Sequence, residues 1–243
     1  MKNISLCALA LVLAAAACAP KYNPNDARTF GLKGDVKEVR LSEAFPANPE
    51  EGMTEDEWFG TDTLELAFDE RGRVTRDAYG NTYEYDEEGN FIGGQLPQTT
   101  LLRDSKGRIV SYDNTEFEDY GSEAFDIAAF SVVRFSYDAK GRPQTADLGG
   151  WEWSNTYTYA YDGNKVYPAS ATFDGGSEGW NEQGEIRYTY TRFDAKGNWT
   201  ERTVSRVTRG WEEPWEEDMV PQVDTTSVEL KQARVITYWS DGK

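Results

Sequence analysis

The chain has 243 residues, with 25 lysines and arginines against 43 aspartates and glutamates, and a formal net charge of −18 at pH 7. This excess of acid disfavours binding to nucleic-acid phosphates and charge-driven adhesion to anionic membranes. The sequence has no histidine and only two cysteines, Cys7 and Cys18. It therefore excludes a Ser-His-Asp triad, a Cys-His dyad and nearly all catalytic zinc or iron sites, and we expect no enzyme, metal or cofactor.

The N-terminus has the pattern of a signal peptide. Lys2 precedes an apolar stretch, Ile4–Ala17, that is too short to span a bilayer as a mature helix. The residues directly before Cys18 are small and resemble a bacterial lipobox, so we expect residues 1–17 to be removed and Cys18 to carry acyl chains that anchor the protein stably. The alternative is an ordinary secretory signal with an incidental cysteine. Residues 18–29 are then a short lipidated tether.

The first half of the mature chain reads as strands and turns. Val36–Leu41 is expected to be the first strand, and residues 44–58 interrupt the pattern with prolines and acids. Residues 61–112 carry three hairpin units in which apolar residues alternate with polar ones, as on a strand with one buried face. An acidic insertion follows at about residues 113–130.

The second half resumes the hairpins from residue 131 to residue 208. Tyr188 and Tyr190 share a parity that Phe193 does not, which predicts a β-bulge between Tyr190 and Phe193. A second insertion is expected at about residues 209–226. The last strand, Val228–Trp239, is expected to pair with Trp199–Val207.

The hairpin units share one phrase: an aromatic residue, Asp, two polar residues, Gly, a polar residue and an apolar one. Asp accepts hydrogen bonds from backbone N–H groups within a turn, and Gly adopts positive φ without a Cβ clash, so the phrase predicts a turn closing a hairpin. A looser copy lies at Glu182–Ile186. The predicted turn residues are Asp69 and Gly72, Asp86 and Gly89, Asp104 and Gly107, Asp138 and Gly141, and Asp194 and Gly197. A calcium loop would need more oxygen ligands than one aspartate at the start of each turn.

The phrase resembles the YD repeat of Rhs-type and wall-associated bacterial proteins. The segment 30–39, together with Gly197-Asn198-Trp199-Thr200, is similar to small YD-repeat lipoproteins of the Gram-negative envelope. The resemblance covers residues 30–243 and implies one domain made of β-hairpins. It implies no catalytic residues, because that family is largely uncharacterised, and the chain has neither the many repeats nor the toxin domain of large Rhs proteins.

Two aromatic groups are candidate binding surfaces. In the second insertion, Trp211 and Trp215 could stack on sugar rings while Glu212 and Glu216 accept hydroxyl hydrogen bonds; alternatively, the tryptophans fold back onto the sheet edge and the acids are solvated. The other group is an aromatic ladder that faces solvent if the sheet has one layer and belongs to the core if the sheet rolls up. Its members are Trp151, Trp153, Tyr157, Tyr159 and Tyr161.

These observations predict an all-β protein, an antiparallel β-hairpin repeat array that forms a curled open sheet or a partly closed roll. We expect a non-enzymatic, lipid-anchored scaffold or interaction module of the bacterial envelope, whose partner is the membrane through its lipid and an envelope protein or glycan. The alternative is a carbohydrate-binding accessory lipoprotein that uses the Trp211 and Trp215 loop. Ala19 stands where many inner-membrane lipoproteins have Asp, which favours the outer membrane, with periplasm-facing attachment ahead of surface display.

Overall fold

The computed structural model describes residues 25–44, 63–77, 81–94, 100–113, 132–149, 153–212 and 220–242. The three longest strands come last in this part of the chain. The strands are β1 (Val36–Ala44), β2 (Thr63–Phe68), β3 (Val74–Asp77), β4 (Tyr83–Tyr85), β5 (Phe91–Gly94), β6 (Thr100–Arg103), β7 (Ile109–Asp113), β8 (Val132–Tyr137), β9 (Pro143–Gly149), β10 (Trp153–Ala160), β11 (Ser170–Ser177), β12 (Trp180–Phe193), β13 (Trp199–Glu212) and β14 (Asp224–Tyr238). Two 3-10 turns flank them, at Asp26–Arg28 and Trp239–Gly242.

Twelve strands form one antiparallel sheet in the order β3-β2-β1-β14-β13-β12-β11-β10-β9-β8-β7-β6, and β4 pairs with β5 in a separate hairpin. Neighbours in the sheet are mostly neighbours in sequence, as expected for a series of hairpins. The exception is the pair β1–β14, which joins the first strand to the last. The prediction of an all-β antiparallel array that curls as an open sheet is confirmed.

The sheet curls around one inner face. Leu66 and Phe68 on β2 belong to the same buried cluster as Phe135 on β8 and Leu148 on β9, although these strands lie near opposite ends of the strand order. Phe30, in the segment before β1, links the two ends: its ring centroid lies 6.3 Å from that of Phe68 and 6.5 Å from that of Phe135. Burial of this apolar face from both ends is the main force that curls the sheet.

Asp26 ties the two ends of the sheet together. It is only 1% exposed; its N–H donates to the carbonyl of Gly72, and its carboxylate accepts a hydrogen bond of 2.8 Å from the N–H of Val74. The same carboxylate pairs with both terminal nitrogens of Arg103 on β6. A buried carboxylate is tolerated when it is paired and fully hydrogen-bonded, and these contacts meet that requirement.

The β4–β5 hairpin lies between the same two ends. Thr82 forms an isolated bridge with Arg76 on β3, and the Tyr85 hydroxyl donates to the carbonyl of Val74 at 2.8 Å. On the other side, Arg103 donates to the Tyr85 hydroxyl at 3.4 Å. The hairpin therefore fills the space between β3 and β6, and side chains bridge the gap that strand pairing leaves open.

Strands β12, β13 and β14 have 14, 14 and 15 residues and extend beyond the first core. A second buried cluster fills the inner face along this extension, with Phe173 on β11, Ile186 on β12, Val204 on β13 and Leu230 on β14. Tyr157 and Tyr159 on β10 pack against both clusters. They therefore join the two clusters into one continuous inner face.

Two expectations about register are confirmed. The pairing of β12 with β13 shifts register between Tyr190 and Phe193, where the bulge was predicted. The last strand pairs with β13, with Glu201 opposite Ala233 and Gly210 opposite Asp224.

Two other expectations are corrected. Glu182–Ile186 is not a turn, because it lies inside β12 and pairs on both sides; the hairpin turn is at Glu178 and Gly179, where Gly179 has φ +77°. The second insertion is shorter than expected, since Arg209 pairs with Thr225 within regular strands. The insertion at residues 113–130 lies outside the described residues except for Asp113, which ends β7.

Candidate functional site

The five predicted turns share one geometry. In each, the N–H of the glycine donates to the carbonyl of the aspartate at 2.8–3.1 Å, and the glycine has φ between +78° and +97°. The aspartate carboxylate then caps the turn: Oδ1 of Asp104, for example, accepts from the N–H groups of Lys106 and Arg108, both at 2.9 Å. The carboxylate oxygens of these turns are therefore engaged in holding the turns themselves.

Three turns carry an arginine directly after the glycine, and that arginine binds the aspartate of its own turn. The Nε atoms of Arg73, Arg108 and Arg142 donate to the Oδ2 atoms of the corresponding aspartates at 2.6, 2.8 and 2.8 Å. This ion pair fixes the position of each guanidinium against its own turn. Charge-assisted hydrogen bonds with this geometry are among the stronger side-chain interactions in proteins.

Each of these arginines stacks on a tyrosine that precedes the aspartate of a later turn. The guanidinium carbons of Arg73, Arg108 and Arg142 lie 4.4, 4.0 and 4.1 Å from the ring centroids of Tyr85, Tyr137 and Tyr161. The hydroxyls of these tyrosines donate to the carbonyls of Val74, Ile109 and Pro143, the residues that follow the arginines. The Tyr-Asp dipeptide therefore docks each turn on an earlier one.

Burial affects the pKa of the docked tyrosines and of the turn aspartates in different ways. Desolvation raises the pKa of Tyr137 to about 12 and raises the pKa values of Tyr85 and Tyr161. Burial would also raise the pKa of Asp104, but hydrogen bonds from the side chain and N–H of Arg108 and from the N–H of Lys106 outweigh it and lower that pKa. Both shifts favour the pairing that the structure shows.

The last of the five turns uses asparagine in place of arginine. Asn198 is 2% exposed, and its Nδ2 donates to the Lys33 carbonyl and to the Tyr238 hydroxyl at 2.9 and 2.8 Å. The Tyr238 hydroxyl donates in turn to Asp194, and Lys196 lies 3.6 Å from the Tyr238 ring centroid. This network fixes the segment before β1 against the β12–β13 turn.

The structure places the two described residues of the predicted Trp211 site, Trp211 and Glu212, on opposite faces of β13. Trp211 is half-buried within β13 opposite Asn181, whereas Glu212 lies opposite Trp180. Adjacent residues of a strand face opposite sides of the sheet, so Trp211 and Glu212 point away from each other. Trp215 and Glu216 lie outside the described residues, as does the lipidation candidate Cys18.

The aromatic ladder lies on the inner face. Trp153, Tyr157 and Tyr159 are half-buried and pack on the first core, and the Tyr157 ring stacks on Phe173 with centroids 5.6 Å apart. Tyr161 donates from its hydroxyl to Pro143. The core interpretation of the ladder therefore applies to Trp153, Tyr157 and Tyr159, whereas Tyr161 packs on the turn that carries Arg142. Trp151 lies outside the described residues.

A small cavity of about 60 Å³ lies between the segment before β1 and strands β10, β12, β13 and β14. Trp199 lies on its wall between two buried arginines, with the guanidinium carbons of Arg202 and Arg234 4.1 and 3.8 Å from its ring centroid. Arg202 also donates from Nε to Gln232. Cation–π stacking of this kind lets the guanidiniums serve as packing groups.

The sequence pattern missed a polar cluster beside Trp180, at the far end of the inner face. Glu182 accepts a hydrogen bond of 2.9 Å from Nδ2 of Asn155, and its Oε1 lies 3.6 Å from Nη2 of Arg206. Trp180 is 36% exposed and is the next residue on the same face of β12. We call Asn155, Trp180, Glu182 and Arg206 the Trp180 cluster. Trp180, Glu182 and Gly184 alternate along the sequence as residues on one face of a strand do. The prediction of a turn at Glu182–Ile186 hid this strand pattern.

Comparison of the chain with protein-family models and with curated proteins gave no match. The helical segments that the structure describes are short 3-10 turns, and none has the length and apolar character needed to cross a bilayer. Within the described ranges, no three acidic or cysteine side chains are grouped as metal ligands would be.

Proposed function

We propose that this chain is a lipid-anchored bacterial envelope protein of the YD-repeat type that acts as a scaffold or interaction module without catalysis. The observation that carries the proposal is the use of the repeated polar residues. Asp69, Asp104 and Asp138 bind the arginines of their own turns, and those arginines stack on tyrosines. The residues that recur along the chain build a framework; none of these three carboxylates is left over for acid–base chemistry.

The composition supports the same proposal. The chain has no histidine, and lipidation of Cys18 would leave the mature chain without a free thiol. It would then have none of the usual nucleophile and base pairs. Its charge of −18 keeps the domain soluble at a membrane surface and disfavours direct adhesion to anionic lipid. Attachment would therefore depend on acyl chains at Cys18.

The proposed anchor also defines the reach of the domain. Asn25, the first described residue, lies seven positions after Cys18. An extended chain of this length spans at most about 25 Å. A domain held this close to the membrane is suited to contacts with other envelope components rather than to capture of distant ligands.

The proposal is tested by cross-linking in the native bacterium. The wild-type chain and Cys18→Ser are compared, with Cys7→Ser as a matched control inside the signal. We expect wild type and Cys7→Ser to fractionate with membranes and to give one reproducible cross-linked envelope partner, and Cys18→Ser to lose both. Membrane fractionation and cross-linking of Cys18→Ser like the wild type would overturn the anchor, and turnover of a substrate by the purified chain would overturn the non-catalytic role.

A further inference from the structure

We infer that the Trp180 cluster is a binding site for a neutral saccharide. This inference rests on the proposed function as an interaction module and names the ligand class of that module. The cluster lies on the inner face of the long-strand extension, where Asn155, Gly175, Glu182 and Gly210 occupy neighbouring positions across β10, β11, β12 and β13.

Glycines make this part of the sheet flat. A Cβ on Gly210 would lie 2.9 Å from Cε2 of Trp180, and a Cβ on Gly184 would lie 2.6 Å from the ring of Phe173. Both rings therefore lie directly over glycine backbone. A Cβ on Gly175 would overlap Oδ1 of Asn155. Because Gly175 has no Cβ, the side-chain amide of Asn155 can extend across β11 to Glu182. The result is a flat aromatic surface beside fixed polar groups.

The polar groups of the cluster are held in place before any ligand arrives. Nδ2 of Asn155 and Nη2 of Arg206 both face Oε1 of Glu182. Arg206 stacks on Phe173, with 4.3 Å from its guanidinium carbon to the ring centroid, and donates from Nε to Thr208 at 3.0 Å. The side chains of Glu182 and Arg206 are each 20% exposed, so they are fixed but still reach the surface.

The chemistry of this arrangement suits a saccharide. A sugar ring has an apolar face of C–H groups and a rim of hydroxyls that both donate and accept hydrogen bonds. Trp180 offers an exposed aromatic surface for that face, while the Glu182 carboxylate accepts and the Arg206 guanidinium donates. Trp180 and Glu182 are two residues apart on one strand face, about 7 Å along the strand, which places both beside one ring.

The charge around the cluster disfavours an anionic ligand. Glu182 and Arg206 compensate each other, and the exposed residues Glu212 and Asp224 lie on the same face, opposite Trp180 and Gly210. In addition, Oδ1 of Asn155 is buried and accepts no hydrogen bond within the described part of the chain. A buried polar atom in this state calls for an ordered water, which could connect it to a ligand hydroxyl.

The test is a titration of the full mature chain in detergent with four neutral oligosaccharides: tetramers of N-acetylglucosamine, β-1,4-glucose, α-1,4-glucose and mannose. Intrinsic tryptophan fluorescence and calorimetry follow binding up to about 10 mM, which saturates a site of millimolar affinity. We expect saturable binding of at least one tetramer. Trp180→Ala is expected to weaken it at least tenfold, and Glu182→Gln, which keeps the shape of the side chain, several-fold.

Trp211→Ala is the matched control, because Trp211 lies on the opposite face of β13. It is expected to leave binding unchanged, and circular dichroism and the thermal midpoint show that each variant is folded. Absence of saturable binding to all four tetramers, or equal loss in Trp211→Ala and Glu182→Gln, overturns the saccharide site. If only the saccharide site is wrong, the anchored protein still gives its cross-linked envelope partner. If the proposed function is wrong, no such cross-link forms, so the two outcomes are distinguishable.

Discussion

The guanidinium carbon of Arg108 lies 4.0 Å from the ring centroid of Tyr137, and the Tyr137 hydroxyl donates to the carbonyl of Ile109 beside that arginine. One tyrosine therefore contacts both the arginine side chain and the backbone of an earlier turn. Asp104 completes the unit, because it holds Arg108 with a hydrogen bond of 2.8 Å. This relationship recurs with Arg73 and Tyr85 and with Arg142 and Tyr161.

The first prediction concerns this stacked pair. Arg108→Ala removes the ion pair with Asp104 and the stacking on Tyr137, and we expect it to lower the free energy of unfolding by about 1–3 kcal/mol. Tyr137→Phe leaves the Ile109 carbonyl without its donor and should cost about 1–2 kcal/mol. A double-mutant cycle in urea measures the coupling, with exposed Lys106→Ala as a control in the same turn. Strictly additive losses in the double mutant would contradict the docking role.

The second prediction concerns acid. The pKa of Asp104, Asp138 and Asp194 is lowered in the folded chain because hydrogen bonds outweigh burial. A lowered folded pKa stabilises the protein above the unfolded value of about 3.9, and this stabilisation is lost as pH falls through the folded pKa. The thermal midpoint should therefore decrease below about pH 4. The thermal midpoint of Asp104→Asn should fall less below about pH 4 than that of the wild type. An equal fall of the midpoint with pH in the two proteins would contradict a lowered pKa of Asp104 in the folded chain.

The third prediction concerns the contact that joins the two ends of the sheet. Asp26→Ala removes the carboxylate that faces Arg103 and the N–H of Val74 in a buried site, so we expect a loss of about 3–5 kcal/mol. Asp35→Ala is the control, because Asp35 forms an exposed ion pair with Lys196. Exposed pairs contribute less than about 1 kcal/mol. Similar losses in both variants, measured by denaturant unfolding, would contradict the closing role of Asp26.

The fourth prediction concerns the flat part of the inner face. Gly184→Ala places a Cβ against the backbone carbonyl oxygen of Val207 and 2.6 Å from the Phe173 ring, and overpacking of this kind costs about 1–3 kcal/mol. Gly149→Ala is the control, since its Cβ would be 3.7 Å from the nearest atom, the Trp153 carbonyl oxygen. Thermal unfolding of both variants compares them directly. A Gly184→Ala protein as stable as Gly149→Ala would show that the rings do not need glycine beneath them.

Much of the fold follows from the sequence because its signals are local. Asp104 and Gly107 are three residues apart, and the strands that they join alternate apolar and polar residues, so turn and strand can both be predicted. Parity alone located the bulge between Tyr190 and Phe193. These features need no knowledge of the rest of the chain.

Other features depend on long-range contacts that a local pattern does not contain. Asp26 and Arg103 are 77 residues apart, and nothing near either residue indicates their pairing. Glu182–Ile186 has the composition of a turn, but strand partners on both sides and the Phe173 ring over Gly184 keep it in β12. The Trp180 cluster likewise depends on long-range pairing, because the register of strands β10 to β13 places Asn155 and Arg206 beside Glu182.

Mass spectrometry of the mature N-terminal peptide tests the central claim most directly, because every part of the proposed envelope role depends on attachment at Cys18. The protein would be purified from its native cells with detergent and compared with Cys18→Ser. We expect a peptide that begins at Cys18 and carries covalent acyl chains, and no such peptide from the variant. An unmodified Cys18, or a mature chain that retains residues 1–17, would contradict it.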